Sequence, residues 1–97
     1  MPRSITMAQL GQLMTPATKI IDVREVNEFA QYHLPNAVNI PYQSLVMYPE
    51  HYLNPQEVYY IICGHGSVSY RAAMILSSYG YQTVTVAGGY DMRYHRY

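Results

Sequence analysis

The chain has 97 residues, 49% of them apolar, and its six Lys and Arg balance six Asp and Glu to a formal net charge of zero. That apolar share supports a compact core without staples and excludes a disordered chain. The balanced charge excludes a polybasic or polyacidic binder drawn to nucleic acid or acidic lipid. A lone cysteine, Cys63, cannot close an internal disulfide, and with His33, His51, His65 and His95 it shows no paired metal-ligand spacing, so no metal site is expected. Twelve tyrosines against no tryptophan read as half-buried packing. The tail Arg93 to Tyr97 reads as a frayed end.

In chain order, "RSIT" is a short extended start. Thr6 followed by Gln9 has capping-box spacing, and Met7, Leu10 and Met14 then share one helical face that Thr15-Pro16 ends. "KIIDV" (Lys19 to Val23) predicts a buried parallel strand. A short helix follows over "NEFAQYHL", then a Pro35-Asn36 turn and "AVNI" as a second buried strand. "YQSLVMYPEHYL" reads as a helix broken by Pro49. "EVYYIIC" is the strongest strand signal and "SVSYRAAMILSSYG" the strongest helix, its apolar face supplied by Ala72, Ala73, Ile75, Leu76 and Tyr79, with Gly80 placed as a C′ glycine. "QTVTVA" is the next strand, Gly88-Gly89 a turn, and "YDMRYH" a final short helix.

Strands alternating with helices at this spacing predict an α/β fold, a parallel sheet with helices on both faces. Ligands bind such sheets at the carboxyl ends of the strands. Asp22 and Arg24 follow one such end and Cys63 ends another. After Cys63, the small residues Gly64, Gly66, Ser67 and Ser69 allow backbone N–H groups to turn toward one point, and the helix that begins there adds the positive end of its dipole. Both effects favour a thiolate, the reactive form of cysteine. His65 and Arg71 could add positive charge.

Four stretches then resemble a single-domain rhodanese, a sulfurtransferase. They are "IIDVREVNEF" (Ile20 to Phe29), "HLPNAVNIP" (His33 to Pro41), "YYIICGHGSVSYRAAMIL" and "VAGGYDMRY". The resemblance covers essentially the whole chain and implies one rhodanese-like domain over residues 1–97, with a central parallel sheet of about five strands. It implies double displacement through a Cys63 persulfide, from a donor such as thiosulfate or a persulfide to cyanide or a thiol, a protein thiol included. Cys63 is then catalytic. The amides and side chains of Gly64, His65, Gly66, Ser67, Val68 and Ser69 bind the substrate, and no cofactor is required. Asp22, Arg24 and Arg71 are supporting candidates, with structural ties between loops the plainer role for Asp22 and Arg24. His33 is expected as a packed or hydrogen-bonded histidine, and Gly88-Gly89 as a matter of backbone geometry.

The loop departs from the family where Val68 stands in place of a basic residue, which leaves no permanent charge between Cys63 and Tyr70 and weakens the expected pull on dianionic thiosulfate. A cysteine phosphatase or arsenate reductase needs Cys-x5-Arg, and here Ser69 holds that position. A non-catalytic interaction module or a persulfide carrier is the other alternative. No apolar stretch is long enough for a signal peptide or a bilayer span, so a cytoplasmic location is expected, with neither nucleic acid nor membrane as partner.

Overall fold

The computed structural model describes residues 2–91. Five strands form one all-parallel sheet: β1 (Arg3–Ile5), β2 (Lys19–Asp22), β3 (Ala37–Asn39), β4 (Val58–Ile62) and β5 (Gln82–Val86), in the spatial order β1-β5-β4-β2-β3. The helices are α1 (Met7–Leu13), α2 (Val26–Gln31), α3 (Tyr42–Met47) and α4 (Ser67–Ser78), with a single 3-10 turn over Pro49–His51 where Pro49 breaks the α3 run. The predicted capping box starts α1: the Gln9 N–H donates to the Thr6 hydroxyl at 3.0 Å, and the Thr6 N–H donates to the Gln9 side chain at 2.8 Å.

Two-residue alternation sorts the sheet into two faces. Tyr59, Ile61 and Cys63 from the β4 run join Ile21 and Val23 beneath Leu45 of α3 and Ala72 and Leu76 of α4. On the opposite face Ile20, Ile62 and Val86 pack with Leu10 of α1 and with Tyr90. In β5 the threonines take the α4 side: Thr83 is bonded to Ser77 and Thr85 to Ser69. Two hydroxyls facing two serines let a polar strand face lie buried under a helix without unpaired groups.

Two expectations change. β3 is an edge strand, with Val38 57% exposed, and so is not the buried strand that "AVNI" suggests. An apolar tetrapeptide reads the same at an edge as in the middle of a sheet. Tyr79 does not belong to the apolar face of α4: it is the helix C-cap and is 63% exposed, because the chain is already leaving the helix at the left-handed Gly80 (φ +94°). Of the helix expected over "YDMRYH", Tyr90 and Asp91 are not helical, and the rest, with His95 and the tail Arg93 to Tyr97, lies outside the described residues.

The chain runs from β2 toward β3 on one side and from β4 toward β5 on the other, so the order reverses between the adjacent strands β2 and β4. Their carboxyl ends open a crevice at this switch point. Val23 and Arg24 leave one lip, and Cys63 leaves the other.

Candidate active site

Cys63 ends the central strand and is 3% exposed. Its sulfur accepts two backbone hydrogen bonds, from the Gly66 N–H at 3.1 Å and from the Ser69 N–H at 3.2 Å. The thiol proton points to Ser69 Oγ, 3.4 Å away. Ser69 is fully buried, its hydroxyl donates to the Gly66 carbonyl at 3.1 Å, and it lies 3.0 Å from Thr85 Oγ1. The sulfur therefore sits in a cradle of two amides at the start of α4, backed by a pair of buried hydroxyls. The expected inward turn of the loop is present, and its donors to the sulfur are Gly66 and Ser69.

The two loop glycines differ in their reasons. Gly66 is left-handed (φ +100°), and a Cβ there would come within 2.8 Å of the Gly88 nitrogen. Gly64 has open space where a Cβ would point. The Gly88-Gly89 turn is what the loop rests on. Both residues have positive φ, a Cβ on Gly89 would overlap the Cys63 carbonyl oxygen, and the next residue, Tyr90, donates its N–H to that same oxygen at 3.0 Å.

The mouth of the site is a pocket of ≈ 280 Å³ lined by Arg24, Glu25, Glu28, Tyr42, Cys63 and Val68, among others. Arg24 is held rather than free. Its Nε and Nη2 bind both oxygens of the fully buried Asp22 carboxylate, at 2.9 Å for the closest pair, and Nη2 also donates to the Tyr32 carbonyl at 2.6 Å. The guanidinium lies 4.2 Å from the centroid of the Tyr90 ring. The Asp22 hydrogen bond raises the pKa of Arg24 further above its ordinary value. Asn39 closes the loop, donating to the Asp22 and Arg24 carbonyls at 3.0 Å each. Asp22 and Arg24 thus tie loops together next to the site.

His65 is exposed at the rim and pairs with Asp91 at 3.1 Å. Arg71 is not brought to Cys63: it lines a separate hollow of ≈ 630 Å³ on the other side of the loop with Ser4, Tyr70 and Met74. His33 stacks on Phe29 at 3.7 Å and bonds its carbonyl at 2.7 Å, the packed histidine expected. Among the described residues no group of three or more His, Cys, Asp or Glu could hold a metal ion, and no helix is long and apolar enough to cross a membrane.

Two residues escaped the sequence reading. Thr85 was recoverable from "QTVTV", whose alternation puts both threonines on one face. Tyr90 was not, because its contacts with Leu34, Arg24 and Cys63 are made at long range. The Tyr90 hydroxyl accepts from the Leu34 N–H at 3.0 Å. Burial pushes its phenol up to about 12, with the nearby Asp22 carboxylate adding to the rise. The fold therefore prefers the neutral phenol, whereas the unfolded chain loses this proton near ~10. Between those two values the unfolded state binds fewer protons, so stability falls as pH rises. The stability difference between wild type and Tyr90→Phe, from urea unfolding, should be flat below about pH 9 and shrink steadily from there to pH 12. A difference independent of pH over that range would refute the assignment.

A family model described as a rhodanese-like domain matches residues 6–92. The chain belongs to the rhodanese-like domain family. Over 86 residues, 88% of its length, it is 33% identical to the adenylyltransferase and sulfurtransferase uba4 of Ogataea parapolymorpha, of which it covers 22%. Over 65 residues, 67% of its length, it is 37% identical to YrkF of Bacillus subtilis, of which it covers 35%. The chain thus spans between about a fifth and about a third of the curated relatives it matches. Among solved structures, SSP1007 from Staphylococcus saprophyticus is 36% identical with a TM-score of 0.83, covering 93% of this chain and 91% of that one.

Proposed function

We propose that this protein is a sulfurtransferase that carries a sulfane sulfur as a persulfide on Cys63, from a small-molecule or protein donor to a thiol or cyanide acceptor. The carrying observation is the convergence of the Gly66 and Ser69 amides on the Cys63 sulfur. Membership of the rhodanese-like family and similarity to a relative named as a sulfurtransferase support it.

In the resting state the Cys63 thiol donates a hydrogen bond to Ser69 Oγ, whose own O–H donates to the Gly66 carbonyl. Once the thiol is ionised, the Ser69 hydroxyl can turn and donate to the sulfur, while Thr85 Oγ1 supplies a bond in return. The anion then has two amide donors already in place and one hydroxyl donor that only has to rotate. The thiolate attacks the outer sulfur of the donor. The donor's S–S bond breaks, its electron pair leaves with the donor residue, and Cys63 keeps the sulfur as a persulfide. The acceptor thiolate or cyanide then attacks that terminal sulfur and returns the Cys63 thiolate. No electrons are gained or lost overall.

Thiosulfate is one of the donors proposed. Incubation of the protein with thiosulfate or a low-molecular persulfide should leave Cys63 one sulfur atom heavier by intact-protein mass spectrometry, and cyanide should remove that sulfur as thiocyanate. Absence of the adduct with every donor would sink the assignment. A phosphatase reading is disfavoured by Ser69, which stands buried against the sulfur where an oxyanion-binding arginine would be required.

A further inference from the structure

The charges around Cys63 are divided by depth. At the bottom of the pocket, the sulfur meets N–H donors and the start of α4. At the mouth, the charged side chains lining the pocket, besides the exposed His65 that pairs with Asp91, are Arg24, Glu25 and Glu28. Arg24 is neutralised by its two-point bond to the buried Asp22. Glu25 and Glu28 are both exposed and stand in no ion pair among the described residues, Glu28 acting on Arg24 only through space. Glu28 is fixed in place because its carboxylate accepts the Glu25 N–H at 3.3 Å. The loop residues themselves, Gly64 to Ser69, carry no Lys or Arg.

From this division we infer that the mouth is a charge filter. Glu25 and Glu28 select sulfane donors whose only negative charge is on the reacting sulfur and whose body is uncharged or cationic, and they disfavour the dianion thiosulfate. This rests on the sulfur-transfer reading above. The class it points to is a thiol persulfide, R–S–SH, with a neutral or basic R group. Cys63 thiolate attacks the terminal sulfur, the S–S bond breaks, and R–S⁻ departs with the bonding pair and takes a proton from water. Cys63 is left as its persulfide. With thiosulfate the same attack must expel sulfite, a dianion, past two carboxylates.

The lone cysteine makes the filter readable without any sulfur chemistry. The protein is treated at low ionic strength with two methanethiosulfonates that share a reactive end, one bearing trimethylammonium and the other sulfonate, and labelling is followed by intact mass. Relative to the same pair of rates for free 2-mercaptoethanol, Cys63 should favour the cationic reagent about tenfold. The preference should fall to about threefold at 0.15 M salt, where the screening length is about 8 Å. In Glu25→Gln/Glu28→Gln, where the amide at position 28 can still accept the Glu25 N–H, it should drop below about twofold. A wild-type preference near one, a preference for sulfonate, or one that survives the double substitution overturns the filter. As donors, cysteamine persulfide should exceed 3-mercaptopropionate persulfide, and both should exceed thiosulfate, in kcat/KM. Failure of every donor to load Cys63, with the labelling preference intact, counts against the sulfur-transfer reading and not against the charge of the mouth.

Discussion

Cys63→Ser should lose sulfur uptake and thiocyanate formation completely, with no residual slow phase. A serine hydroxyl can accept the Gly66 and Ser69 N–H bonds that now end on sulfur, so the cradle has an occupant and the fold has no reason to change. What vanishes is the nucleophile: a hydroxyl at neutral pH does not become an anion without a base beside it. Ser69 and Thr85, the polar side chains behind the sulfur, are themselves hydroxyls. Because the chain has one cysteine, no second thiol can take over part of the flux. Stability should move by no more than ~1 kcal/mol, within the range of a conservative buried swap. Urea unfolding and intact mass read the two halves of this expectation separately. Equal turnover by wild type and Cys63→Ser would refute the mechanism.

Gly89→Ala should be the most damaging change outside the sulfur itself. Position 89 has φ +54°, which costs an alanine ~1–2 kcal/mol on its own. Its Cβ would also overlap the Cys63 carbonyl oxygen and lie 3.1 Å from the carbonyl carbon of Gly64. The collision is with backbone, so no side-chain rotation relieves it. Either the 88–89 turn or the start of the active loop must move, and the Tyr90 N–H bond to Cys63 breaks. The combined loss should be about 3–5 kcal/mol, which for a chain of this size is a fall in Tm of at least ~12 °C. Persulfide loading should fall at least tenfold in whatever fraction stays folded, since the carbonyl that anchors Cys63 has shifted. Gly64→Ala is the control. Its Cβ meets open space, and its stability should change by less than ~1 kcal/mol. If the two alanines behave alike, the close approach at position 89 is not what holds the loop.

The contrast between these two glycines shows where the sequence was informative. Features set by neighbours along the chain were readable. The Thr6–Gln9 capping box, the Thr15-Pro16 stop, the Pro49 break and the Gly80 helix end all depend on a few adjacent residues, and the structure has each of them. The strand that delivers Cys63 to a ligand edge was readable from β-branched composition and the order of elements. What local signals could not show was lateral position in the sheet. β3 became an edge only because the chain reverses its direction of travel between β2 and β4, so Val38 faces solvent. Nor could they show which glycine is pinned. Gly64 and Gly66 look equivalent in the sequence, and the difference arises from Gly88, more than twenty residues later. Arg24 is the same kind of case. Its plainer expected role, a tie between loops, is what the structure has, through the buried Asp22 two positions earlier, but its ring contact with Tyr90 could not be read from neighbours along the chain.

The dependence of Cys63 on Gly89 and Tyr90 also has a meaning in time. During synthesis the thiol emerges well before the residues that seat its carbonyl, and before β5, whose Thr85 backs Ser69. β5 in turn bridges the central β4 to β1, which was made first. Until that last strand arrives, the nascent chain carries an ordinary, unshielded cysteine on an incomplete sheet. The cradle around the sulfur is therefore complete only when the sheet is, because the same late segment supplies β5, Thr85 and the turn that seats the Cys63 carbonyl.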